Sequence, residues 1–153
     1  MPLKVGDQVP DVFFRTHDRK EIHLKEFKGK QNVVVAFYPR AFTGGCEREM
    51  RKFQVMLPDF KGLDTTILGT STDAAAPQNA FATHCGLEFP LVADFPEYAA
   101  AMAFGAFDAE RVQNARVTFV IDKKGVVQAV FKDLPNAEEH VTVALDAIKK
   151  LPK

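Results

Sequence analysis

Cys46 is one of two cysteines in a chain of 153 residues, and its setting is chemically suggestive. It follows the run Val33-Val34-Val35-Ala36-Phe37-Tyr38-Pro39 and the loop Arg40-Ala41-Phe42-Thr43-Gly44-Gly45. An apolar, β-branched segment enters a proline, turns through two glycines and delivers a cysteine where a helix should begin. Helix N-termini carry unpaired N–H groups and the positive end of the dipole, so cysteines placed there tend to react as thiolates. Pro39 stiffens the exit from the strand, shields one side and brings no N–H. The Thr43 hydroxyl, three residues before the sulfur, is near enough along the chain to approach it or a substrate oxygen. Gly44 and Gly45 allow backbone N–H groups to come close. The competing reading is a core cysteine at a helix start. Against it, Cys46 stands in a glycine-rich turn, apart from the expected apolar stripe of Met50, Phe53 and Leu57.

A reactive cysteine serves several chemistries. A cysteine hydrolase needs a histidine base, and His17, His23, His84 and His140 are not compellingly placed. A thiol–disulfide oxidoreductase of the CxxC kind needs a second cysteine three residues on, where Glu49 stands. A metal site needs several Cys or His at ligand spacing, and only His84-Cys85 are adjacent. No cofactor and no metal are expected. There is no dinucleotide fingerprint or Walker loop, and Gly44-Gly45 alone is a weak phosphate signal. What remains is attack by a lone thiolate on an electrophile that needs no general base. Peroxide is such an electrophile, and a sulfenic acid is the product.

The surrounding pattern supplies elements to position this residue. Val12-Phe13-Phe14 and Glu21 to Leu24 read as short strands joined by His17-Asp18-Arg19-Lys20, an N-terminal hairpin. Lys25 to Lys30 is a polar connection. Val33 to Tyr38 has the unbroken apolar character of a buried central strand. A helix is predicted from Thr43 or Gly44 to Leu57, closed by Pro58 and Gly62. Thr65 to Ser71 is a strand. Asp73 is the expected cap of a helix reaching Cys85, with Gly86 as its left-handed stop. Phe89 to Ala93 is a short strand, and Pro96 suits the first turn of a helix through Phe104. Val117 to Ile121, the turn Asp122 to Gly125 and Val126 to Phe131 form a hairpin. A last helix spans about Glu138 to Leu151. Strands alternating with helices, plus this hairpin, predict an α/β fold with a central mixed sheet flanked by helices.

Composition narrows the classes. Twenty basic and twenty acidic residues cancel, so no charge field argues for nucleic acid. Apolar runs are strand-sized, so no membrane span is expected, and the first residues lack an apolar signal segment. Two cysteines without a leader favour the cytoplasm over a secreted, disulfide-stapled protein. The length fits one domain, residues 1–153.

With Pro39-x-x-x-Thr43-x-x-Cys46 directly after a hydrophobic strand, the chain resembles the peroxiredoxins, thiol peroxidases on a modified thioredoxin fold. The likeness looks global: Pro10 to Phe13, Phe89 to Asp94 and Arg116 to Asp122 recur in the family's order. Phe42 to Cys46 and Asp94-Phe95-Pro96 look most like the AhpE-type branch, with the bacterioferritin-comigratory (PrxQ) branch as near neighbour. The resemblance implies a thioredoxin-like fold and an antioxidant peroxidase. Cys46 would be the peroxidatic cysteine, Thr43 would hydrogen-bond the peroxide oxygens, Pro39 would shield the pocket and Arg116 would steady the charge. A solvated Arg116 is the bland alternative, although a charged side chain just before an apolar strand can reach inward from the sheet end. Glu49 matches an acidic position that could orient an arginine; by composition alone it reads equally as a surface residue.

Substrates would be hydrogen peroxide and organic hydroperoxides, and the reductant thioredoxin, another redoxin or a low-molecular-weight thiol. Position 51 is Arg, so the resolving cysteine found five residues on in many PrxQ-like proteins is absent. Cys85 is the candidate resolving residue, with a buried structural thiol sharing a face with Phe81 as its alternative. Monomer and homodimer both stay open. The Phe-rich loops at Phe42 and at Phe104 to Phe107 are candidates for a dimer patch or for the collar of the pocket. The alternatives to a peroxidase are a thiol–disulfide oxidoreductase or a redox-sensing protein on the same fold.

Overall fold

The computed structural model describes residues 2–152. Its centre is β3 (Asn32–Phe37), buried at every position. β3 pairs in parallel with β4 (Thr65–Ser71), which pairs in parallel with β5 (Leu91–Ala93). On its other side β3 runs antiparallel to β8 (Val117–Ile121), and β8 to β9 (Val127–Lys132). The result is a mixed five-stranded sheet in the order β5-β4-β3-β8-β9. The N-terminal hairpin β1 (Phe13–Arg15) and β2 (Glu21–His23) stands beside it.

Because side chains alternate along a strand, β3 feeds two cores. Val34, Ala36 and then Tyr38 face α1 (Gly44–Val55), α2 (Leu57–Lys61), α3 (Ala75–Cys85) and α5 (Glu139–Lys149). Val33, Val35 and Phe37 face Phe14, Leu24 and α4 (Ala99–Phe104). Phe37, Phe104 and Phe119 meet with ring centroids 5.0–5.7 Å apart. Phe104 is therefore core and contributes nothing to a surface patch, whereas Phe42 is exposed.

Several boundaries differ from expectation for identifiable reasons. Pro58 does not end the first helix: α1 stops at Val55, and Pro58 sits in the first turn of α2, where its missing N–H costs nothing. Asp73 does not cap α3, whose N-cap is Ala74. Its carboxylate instead accepts from the Ala41 N–H and the Ser71 hydroxyl, each at 2.7 Å. The Phe95–Pro96 peptide is cis, and α4 starts only at Ala99. Its open N–H groups at Ala100 and Ala101 are taken by the Asp94 carboxylate at 3.0 and 2.9 Å. Two short strands, β6 (Phe107–Asp108) and β7 (Gln113–Asn114), were not foreseen. Gly86 does close α3 in the left-handed conformation, with φ +65°.

Candidate active site

The register of the central strands brings the site together. Phe37 pairs with Val117 across β3 and β8. The residue before Val117 is Arg116, so it lies at the end of the sheet where the Pro39–Gly45 loop leaves β3. Arg116 Nη2 donates to Cys46 Sγ at 3.4 Å, and Nη1 donates to Glu49 Oε1 at 2.5 Å. The charge expected at position 116 thus turns inward, and the solvated reading does not hold.

Three ties shape the loop ahead of Cys46. The Ala41 N–H is held by Asp73, the Thr72 hydroxyl donates to the Pro39 carbonyl at 3.4 Å, and the Thr43 hydroxyl donates to the Arg40 carbonyl at 2.9 Å. Phe42 takes a left-handed backbone, φ +63°, and lays its ring against Phe81 and His84, at 5.3 and 5.5 Å. Thr43 is the N-cap of α1, and its carbonyl accepts from the Glu47 N–H at 2.9 Å. The N–H groups of Gly44, Gly45 and Cys46 precede that first helical bond and lie at the dipole's positive end. The Thr43 hydroxyl faces Arg40 in this structure and makes no bond to the sulfur.

Cys46 is completely buried and belongs to the same cluster as Met50 and Phe53. This corrects the expectation that it stands apart from that stripe: positions 46, 49, 50 and 53 share one helical face. Gly45 is what admits the arginine. A Cβ at this position would lie 3.1 Å from Arg116 Nη2 and 3.7 Å from the Ala137 Cβ.

Glu49 is fully buried, which rules out the surface reading. Its second oxygen, Oε2, has no hydrogen-bond partner among the described residues. Burial pushes its carboxyl up to about 8 against the opposing pull of Arg116. Two neighbours escaped the sequence reading. His140, on α5, is buried and bonded to the Thr118 hydroxyl at 2.8 Å; desolvation and the Arg116 charge hold its ring down at about 4. Glu138 pairs with Arg48 at 3.3 Å and docks the segment before α5 onto α1. No local motif marks either residue, since both contacts cross between distant parts of the chain.

Cys85 ends α3 as a free, buried thiol whose pKa is raised by desolvation. The end of α3 is pinned to α1: Arg51 Nη2 donates to the His84 carbonyl at 3.1 Å, and His84 Nε2 lies 2.9 Å from Glu47 Oε1. Neither structural element pairs Cys85 with Cys46, and both thiols are free. Among the described residues there is no cluster of three or more metal-ligating side chains, and no helix is long and apolar enough to cross a membrane.

A buried cysteine in the first turn of a helix, bonded to an arginine at the end of a mixed sheet, is an arrangement suited to thiolate chemistry. Comparison with known proteins gives the family. The AhpC/TSA family profile matches residues 5–130. Alkyl hydroperoxide reductase E of Mycobacterium tuberculosis is 31% identical over 150 residues, covering 97% of this chain and 98% of that one. Peroxiredoxin Bcp of Escherichia coli is 30% identical over 148 residues, covering 93% and 94%. The crystal structure of peroxidoxin BcpB from Mycobacterium tuberculosis superposes with a TM-score of 0.91 at 28% identity, covering 99% of each chain. The chain belongs to the AhpC/TSA family and is a peroxiredoxin, an enzyme that reduces peroxides with a cysteine thiol.

Proposed function

We propose that residues 1–153 act as one peroxiredoxin domain in the cytoplasm. Cys46 reduces hydrogen peroxide and organic hydroperoxides, and an external thiol or redoxin restores it. The observation that carries the residue-level reading is the Arg116 guanidinium bridging Cys46 Sγ and Glu49. Cys46, as thiolate, attacks the distal oxygen of the peroxide in line. The S–O bond forms, the O–O bond breaks, and the leaving oxygen takes the electron pair and then a proton. Charge shifts from sulfur to that oxygen, and Arg116 sits where it can follow the shift. The unpaired N–H groups at the start of α1 act in the same sense. Thr43 contributes its hydroxyl once it turns from the Arg40 carbonyl to the peroxide, and Pro39 screens the strand side. Cys46 itself has no exposed surface.

For the reductive half, burial of Cys85 and its raised pKa make it a poor attacker, which supports a one-cysteine cycle. The test is intact mass after one equivalent of hydrogen peroxide, with a sulfenic-acid trap. One added, trappable oxygen on Cys46 with Cys85 free is expected. Loss of two mass units through a Cys46–Cys85 bond would instead make Cys85 the resolving residue. Peroxide consumption surviving in Cys46→Ser would remove Cys46 from the centre of the reaction.

A further inference from the structure

Arg116 is the cation shared by two buried acids, and that count has a consequence. Cys46 and Glu49 both touch its guanidinium, and neither has exposed surface. The other charged or titratable groups around Glu49 do not change the balance. Glu138, from the segment before α5, is half-exposed and already paired with the exposed Arg48 of α1. His140, from α5, is held neutral by its burial. Two buried anions facing one cation would leave one negative charge uncompensated, which is strongly unfavourable in a low-dielectric interior. The unpartnered Oε2 of Glu49 points the same way, since an orphaned carboxylate oxygen costs more to bury than an orphaned oxygen of the neutral acid.

We propose that Cys46 and Glu49 share a single negative charge opposite Arg116, so that Glu49 carries a proton whenever Cys46 is a thiolate. Glu49 is then a proton-holding residue acting through Arg116. Desolvation by burial raises the pKa of its carboxyl, which accords with this. The assignment rests on the proposed peroxidase chemistry for its role in turnover, where the protons balance. Before reaction the site holds thiolate, guanidinium and neutral carboxyl. Attack on ROOH forms Cys46–S–OH and releases an alkoxide, the sulfur being oxidised by two electrons and the O–O bond reduced. The alkoxide becomes ROH, and Glu49 ends as the carboxylate that now neutralises Arg116. Net charge in the site is the same before and after, and no proton is drawn from bulk water.

Infrared spectroscopy of the reduced protein at neutral pH tests the charge sharing without any peroxide. The wild type should show the carbonyl stretch of a buried un-ionised carboxyl, absent from Glu49→Gln. Cys46→Ser, whose hydroxyl does not ionise, should lose that band as Glu49 takes over the negative charge. Persistence of the band in Cys46→Ser, or its absence from a wild type whose Cys46 is alkylated as a thiolate at that pH, would overturn the proposal. The wild-type comparison with Cys46→Ser stands even if Glu49→Gln does not fold. Proton uptake on oxidation, followed with an indicator dye, gives the second readout. Glu49→Gln should take one more proton from solution per oxidised sulfur than the wild type, and equal uptake would refute the role in turnover. Failure of the wild type to form a sulfenic acid would refute the peroxidase mechanism alone.

Discussion

Replacing Gly45 with Ala should separate stability from reactivity. Gly45 lies in the first turn of α1 without a left-handed φ, so alanine suits the backbone and gains up to about 1 kcal/mol of helix propensity. The new Cβ, however, would stand 3.1 Å from Arg116 Nη2, against an optimal carbon contact of about 3.5 Å or more. The guanidinium must retreat by about 0.4 Å or more. The nitrogen that must move is the one that reaches the sulfur, at 3.4 Å, while Glu49 holds the other, so the shift falls on the Arg116–Cys46 contact. A charged hydrogen bond is worth about 1.5–3 kcal/mol, and losing anywhere from a third to all of it slows oxidation of Cys46 roughly 2- to 150-fold. Stopped-flow measurement of sulfur oxidation by hydrogen peroxide reads the rate, and thermal unfolding reads the fold. A variant that melts no lower than the wild type yet oxidises slowly supports the geometry. A variant that oxidises at the wild-type rate would show that the Arg116–Cys46 contact does not govern reactivity.

Other outcomes follow from the same contacts. Arg116→Ala should slow Cys46 oxidation by about 100- to 1,000-fold, as loss of a preorganised charge donor does; a loss below tenfold in the same assay would demote Arg116. His140 has a folded pKa near 4 against an ordinary 6.5. The neutral ring therefore contributes stability that is fully present above pH 6.5 and is lost as pH falls through 4, up to about 3 kcal/mol. Denaturant midpoints measured across that window should fall in the wild type and stay flatter in His140→Gln. Gln78→Leu should cost about 1–3 kcal/mol, because the buried Tyr38 hydroxyl loses its 2.7 Å acceptor and the Val92 carbonyl its donor; an unchanged unfolding free energy would show that these groups find other partners.

How far the chain disclosed itself depended on whether a signal was local. The strands Thr65–Ser71 and Val117–Ile121 appear with the limits their apolar, β-branched runs suggested. The Pro39–Cys46 spacing placed Cys46 in the first turn of a helix behind a buried strand, because strand, proline and glycines are all contiguous. Asp73 misled because its carboxylate, suited to a cap, is recruited by the Ala41 N–H, 32 residues earlier. Cys46 reads as separate from its stripe because it stands in a glycine-rich turn, and Glu49 joins the buried face through an arginine 67 residues away. The late start of α4 lies beyond pattern reading for a related reason: its N–H groups are served by Asp94, which ends the preceding strand segment and sits ahead of the cis bond. The two-residue strands β6 and β7 are too short to show a period.

The complete burial of Cys46 ties its oxidation state to the stability of the whole fold. The sulfur that would carry an added oxygen belongs to a cluster that holds Met50, Phe53 and Phe81, at the packing density of a molecular crystal. Overfilling such a place costs about 1–3 kcal/mol, whereas the same sulfenic acid on an unfolded chain meets no neighbours. Closing the thermodynamic cycle, the folded state disfavours the oxidised sulfur by that amount, roughly 5- to 150-fold. The core thereby leans toward the reduced protein, and an external thiol that reaches Cys46 works with the packing of the fold.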